Sequence, residues 1–175
     1  TASPVVQPTT GALIGDQYLE NDRHPLQVGA MAPPLQLPLC SFCPPYLQGK
    51  EGRLDAFGAK DRGTTLLVFW AFWCDTWKDM TRELGHMKAQ LKKHGITVVT
   101  VAVDASAQPV SRQAFSCGAI WWPVAIDVDG SAGKEWGVRR VPTLFLVDKT
   151  GHIKHVWEGF PGRQTFWKQV AASAH

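Results

Sequence analysis

The chain has 175 residues, 45% of them hydrophobic and 19% charged, with a formal net charge of +3. That length fits one domain that buries a core without disulfide staples, and the composition is that of an ordinary globular protein. Scattered lysines and arginines form no basic stripe, which argues against nucleic-acid binding, and no apolar run approaches ~18 residues, which argues against a membrane-spanning helix.

Residues 1–34 are rich in Pro, Gly, Thr and Gln without a sustained period. They read as an extended N-terminal arm, with the domain taken as 35–175. A short strand is expected at Leu35–Leu39, then a loop from Cys40 and a second short strand or turn near Arg53–Phe57. Thr65–Trp70 is a continuous apolar run, the signature of a central strand buried on both faces. A helix should follow from about Asp75 to His94, closed by Gly95. Trp77, Met80, Leu84, Met87 and Leu91 recur at spacings of three and four, which puts them on one apolar face of that helix. Ile96–Val103 reads as a second buried strand, Val110–Cys117 as a helix ended by Gly118, and Pro123–Ile126 as a strand before an Asp129-Gly130 turn. Thr143–Val147 and Ile153–Trp157 form a hairpin signal through Asp148-Lys149-Thr150-Gly151, and a last helix runs from Arg163 to Ala172. The alternation predicts a three-layer α/β domain, its parallel central strands finished by an antiparallel pair.

The chemistry concentrates on Cys74, which follows the buried strand and opens the long helix. Backbone N–H groups and the positive end of the helix dipole favour a thiolate there, and the thiolate is the nucleophilic form. The plainer reading is a small buried apolar residue. Cys40-Ser41-Phe42-Cys43 is a separate C-x-x-C on a loop. Three readings stay open for it: a structural disulfide or plain thiols, a redox pair able to regenerate Cys74, and a zinc half-site that no second half completes. Cys117, at a helix end, reads as packing. His152 and His155 fall on opposite faces of a strand, and His86 and His94 lie two turns apart, so neither pair makes a chelate. The glycines form no phosphate-cradling pattern. Neither a metal nor a cofactor is expected.

Val68 to Cys74 ("VFWAFWC"), the helix behind it and Gly137 to Ile153 ("GVRRVPTLFLVDKTGHI") resemble thioredoxin-fold proteins, above all the exported TlpA/ResA-type thiol-disulfide oxidoreductases and related redoxins. The resemblance covers roughly residues 30–172. It implies a thioredoxin-like three-layer sandwich with a central mixed sheet, a Trp-Cys-x-x-Cys active site, and a cis-proline facing that site. The residue before that proline would pair its backbone with an extended substrate segment. By position these are Trp73, Cys74, Val141 and Pro142. Family resemblance also implies an extracytoplasmic location and a protein thiol or disulfide as partner. From the residues alone, a trans bond at Pro142 is the commoner state; the resemblance implies cis.

Trp77 departs from the pattern, because it stands where the family has its second cysteine. A local dithiol pair cannot form. The helix terminus lowers the Cys74 pKa, while the Trp77 ring and the Asp75 carboxylate raise it. Asp75 is either a modulator of the thiol or a solvated acid favourable to the dipole. Trp77 is either core packing on the apolar stripe or a hydrophobic floor for a bound segment. Two functions follow. One is thiol-disulfide exchange through Cys74 as single nucleophile, resolved by an external thiol or by Cys40/Cys43. The other is a non-catalytic binding module with a groove of Trp73, Trp77 and Pro142. A peroxiredoxin-type peroxidase is disfavoured, since Phe69 to Trp73 supply neither the proline nor the threonine that it needs ahead of its cysteine.

Overall fold

The computed structural model describes residues 17–18, 21–38, 53–55, 63–71, 76–103, 120–127 and 129–173, with backbone alone for 17–18, 53–55 and Thr76. The elements are β1 (Gln17–Tyr18), β2 (Gln36–Pro38), β3 (Arg53–Asp55), β4 (Thr64–Trp70), α1 (Thr76–Lys93), β5 (Ile96–Ala102), β6 (Val124–Ile126), α2 (Ser131–Glu135), β7 (Arg140–Val141), β8 (Thr143–Val147), β9 (Ile153–Glu158) and α3 (Arg163–Ser173). The expected helix at Val110–Cys117 lies outside the described residues.

Five strands form the central sheet in the order β6-β5-β4-β8-β9. β4, β5 and β6 run parallel, and β8 and β9 are antiparallel to their neighbours. The sheet is therefore mixed, as the alternation of elements requires. β2 pairs with β3, and β1 with β7, as two small antiparallel ladders.

Alternation along the strands assigns the two faces. Leu67 and Phe69 share a face with Thr143 and Phe145, their register partners on β8 being Phe145 and Thr143. Trp136, just after α2, closes on that face, with ring centroids 5.8 Å from Phe69 and 5.0 Å from Phe145. Leu66, Val68 and Trp70 point the other way, together with Leu144 and Trp157. There Phe166 of α3 lies 4.9 Å from Trp157. α1 shares this side, since Arg163 pairs with Glu83 at 3.0 Å and the His94 ring lies 5.2 Å from Trp167.

The apolar stripe of α1 behaves as its spacing requires. Met80, Leu84, Met87 and Leu91 are buried to 1% exposure or less, while Trp77, one turn from the N-terminus, is half-buried against the same core. Gly95 follows the helix with φ +67, a left-handed conformation that favours glycine. The hairpin turn is held by Asp148: its Oδ1 accepts from the Thr150 N–H at 2.9 Å, the Thr150 hydroxyl at 2.6 Å and the His152 N–H at 3.0 Å.

The described part of the N-terminal arm is laid onto the domain. Asn21 Nδ2 donates to the carbonyls of Gly133 (3.2 Å) and Val138 (3.0 Å), and the Leu26 N–H donates to Trp136 O at 3.2 Å. Gly29 and Ala30 exchange backbone bonds with Ile153 at 2.8 and 2.9 Å, and Ala32 is buried. Gly137 explains how close the arm comes. A Cβ there would lie 1.8 Å from the His24 carbonyl oxygen, so only glycine lets the two backbones meet.

Candidate functional site

The site is built where β4 ends. Phe69 stands opposite Thr143, so Val141 and Pro142, which precede Thr143, lie beyond the paired stretch at the C-terminal edge of the central strand. In sequence, β4 leads through Ala71 to Cys74, two positions before α1 begins. The C-terminal edges of parallel strands are where α/β sheets gather their chemistry. Trp73, Cys74 and Asp75 lie outside the described residues, as do Cys40, Cys43 and Cys117. Of the candidate site residues named above, the structure describes Trp77, Val141 and Pro142.

The Val141–Pro142 peptide is cis. Both residues are buried, and Val141 is 0% exposed. Two hydrogen bonds fix the corner. The Gly159 N–H donates to Pro142 O at 2.8 Å, which ties it to the end of β9, and the Thr143 hydroxyl donates to Arg140 O. On the outer side of the corner, β7 carries an antiparallel partner, with Gln17 opposite Val141 and Tyr18 opposite Arg140.

Behind the corner stands a charged cluster that sequence reading did not single out. Glu158, 2% exposed, shares its strand pair with Thr143 and so faces the same side of the sheet. Arg139 reaches it with both prongs, Nε to Oε1 at 2.9 Å and Nη2 to Oε2 at 3.2 Å. A forked guanidinium matches a carboxylate in this way and makes the buried charge tolerable. Arg139 Nη1 also lies 2.9 Å from His24 Nδ1, which links the arm to the cluster. The available signal was a glutamate in an otherwise apolar strand end, Val156-Trp157-Glu158-Gly159-Phe160, with two arginines ahead of the proline.

Trp77 sits in the first turn of α1, with Lys78 Nζ 5.9 Å from its ring centroid. Asp79 in the same turn favours the helix dipole and pairs with Arg82. Farther along the sheet edge, burial pushes the Asp127 carboxyl up. The N–H groups of Gly133 (2.8 Å) and Ala132 (3.2 Å) work against that, and Asp129 adds to it. Those bonds spend Asp127 on fastening α2 to the sheet, which is a structural task. Among the described residues no group of three or more His, Cys, Asp or Glu side chains could hold a metal ion, and no helix is long and apolar enough to cross a membrane.

Comparison with known proteins agrees with this layout. The chain is 31% identical over 116 residues to the thiol-disulfide oxidoreductase ResA of Geobacillus thermodenitrificans, across 65% of this chain and 63% of that protein. It is 29% identical over 129 residues to ResA of Bacillus thuringiensis subsp. konkukian, across 73% and 68%. The chain thus spans a little under two thirds of the first relative's length. Among solved structures, a Chlorobium tepidum protein assigned as the thiol:disulfide interchange protein DsbE superposes with TM-score 0.65 at 28% identity, covering 85% of this chain and 98% of that one. The fold is thioredoxin-like, and the chain is similar to TlpA/ResA-type redoxins. With residues 28–156 matching the AhpC/TSA family, most of the described domain included, the chain belongs to that family.

Proposed function

We propose that this protein carries out thiol-disulfide exchange with Cys74 as its single nucleophile, acting on a protein thiol or disulfide outside the cytoplasm. The observation that carries this reading is the buried Val141–Pro142 corner at the edge where β4 leads, in sequence, to Cys74, two positions ahead of α1. Support for the reaction class comes from the ResA relatives and the DsbE-type structure. The extracytoplasmic location rests on the resemblance to exported TlpA/ResA-type proteins.

In the proposed cycle the Cys74 thiolate attacks one sulfur of a substrate disulfide. That S–S bond breaks, a bond between Cys74 and the substrate forms, and the other substrate sulfur leaves as a thiolate. Trp77 offers no thiol, so the mixed disulfide persists until an outside sulfur arrives. Two external thiols, or the Cys40/Cys43 pair, then supply the two electrons. Substrate leaves as a dithiol, Cys74 returns to the thiolate, and the reducing pair ends as a disulfide. Asp75 would oppose the thiolate by like charge, whereas the helix terminus favours it.

The test is to mix the reduced protein with a disulfide-linked peptide, quench with acid and look for the mixed disulfide by mass spectrometry. The expected adduct sits on Cys74 and vanishes in Cys74→Ser. A Cys40→Ser/Cys43→Ser variant that still forms the adduct but releases it more slowly would identify the resolving pair. An adduct-free wild type would overturn the reading. One observation favours a second reading: Trp77 is half-buried at the mouth of α1, in the place of the usual thiol. A binding module using Trp73, Trp77 and Pro142 predicts that Cys74→Ala is silent and that Trp77→Ala weakens partner binding.

A further inference from the structure

Val141, the residue before the cis-proline, is wholly buried. Its outer backbone edge is engaged by the chain itself, through the antiparallel pairs Gln17–Val141 and Tyr18–Arg140. An extended peptide joins a strand edge only where N–H and C=O groups are free to pair. The resemblance gives the residue before the cis-proline the task of pairing with a substrate segment. We propose that Gln17–Tyr18 are a built-in competitor for that Arg140–Val141 edge, and that an extended partner segment engages it only by displacing them. The identity of the partner as a thiol or disulfide protein rests on the reading above; the site itself rests on the pairing.

The two parts of the arm differ in how they are held. From Asn21 onward it is fastened at many points: to Gly133 and Val138 through Asn21, to Trp136 through Leu26, to Ile153 through Gly29 and Ala30, and by close approach to Gly137. β1 consists of two residues pairing with two. Ladders this short are marginal on their own. β1 can therefore leave while the arm behind it stays. The tether also keeps β1 beside its site at the millimolar effective concentration typical of short linkers. A partner segment thus meets a standing competitor, and weak binders are turned away.

The experiment uses the full chain and a full-chain Gln17→Pro/Tyr18→Pro variant, which lacks the backbone N–H at both β1 positions and so the one that pairs with β7. The probe is a fluorescein-labelled, cysteine-free peptide with the sequence of residues 14–21, and binding is read by anisotropy. The variant should bind the probe at least tenfold more tightly than the unaltered chain. Amide exchange at whichever of Arg140 and Val141 turns its N–H toward β1 should quicken in the variant and slow again with probe. Equal affinity for the two proteins, or no binding to the variant, would overturn the proposal. Protection of the β4 amides reports that the variant is folded, and Tyr18→Gly serves as second variant if the prolines unfold it. Exchange with a disulfide-linked peptide, run in parallel, separates the two ideas. An inert Cys74 with a tenfold affinity gain fails the proposed reaction and leaves the strand site standing. Exchange with no affinity gain does the reverse.

Discussion

β4 and β7 are opposites in construction. β4 has seven residues, six of them buried, and it is paired along both edges, by β5 over its whole length and by β8 over five residues. β7 has two residues, ends at a cis-proline, and is completed by two residues from more than a hundred positions earlier in the chain. The first holds the domain together through apolar burial on two faces. The second is buried as well, but over two residues only, and its outer edge is paired with a segment as short as itself. The long strand carries stability, the short one the proposed recognition, and each can be attacked separately.

The largest effect should come from the shared core. Phe145 is fully buried between Phe69 and Trp136, with ring centroids at 5.9 and 5.0 Å. Phe145→Ala should lower the unfolding free energy by about 4 kcal/mol, read from urea denaturation. Arg139→Leu should come next, at about 3 kcal/mol, because it leaves the Glu158 carboxylate buried without its fork. Adding Glu158→Gln should recover part of that loss, which a purely steric role for Arg139 would not allow.

Gly137→Ala addresses the arm. With φ +71 and the His24 carbonyl in the way, it should cost about 2 kcal/mol or more. Its signature should be local: faster amide exchange at Leu26 and Gly29, with the β4 amides still protected. The smallest effect is a pH dependence. Burial holds the His155 imidazole below its ordinary 6.5. The folded state therefore binds fewer protons than the unfolded chain, so this contribution is present above pH 6.5 and is lost as the pH falls below it. The urea midpoint should drop between pH 7.5 and 5.5, and His155→Gln should flatten that slope.

The sequence was most legible where burial imposes a period. The apolar run at Thr65–Trp70 and the stripe from Met80 to Leu91 marked β4 and α1 to within a residue or two, and the Asp148–Gly151 turn marked the β8–β9 hairpin. α2 escaped because five residues are too few to show a helical period, and the Asp129-Gly130 turn drew the eye instead. β1, β7 and the Arg139–Glu158–His24 cluster escaped for another reason. Their partners lie 19 to more than 100 residues apart, and two-residue strands carry no alternation. Trp77 fell on the apolar stripe by spacing alone, yet in the first turn of the helix it is only half-buried.

The central claim is a reactive thiol at Cys74, and the most direct measurement is the alkylation rate of each of the four cysteines against pH, read by mass spectrometry with and without prior reduction. Cys74 should alkylate faster than Cys40, Cys43 and Cys117 at neutral pH, with an apparent pKa below the ~8.5 of free cysteine. A Cys74 that stays inert up to about pH 9 in the folded protein, above the range of an ordinary thiol, would contradict the account and leave a thioredoxin-like binding module in its place.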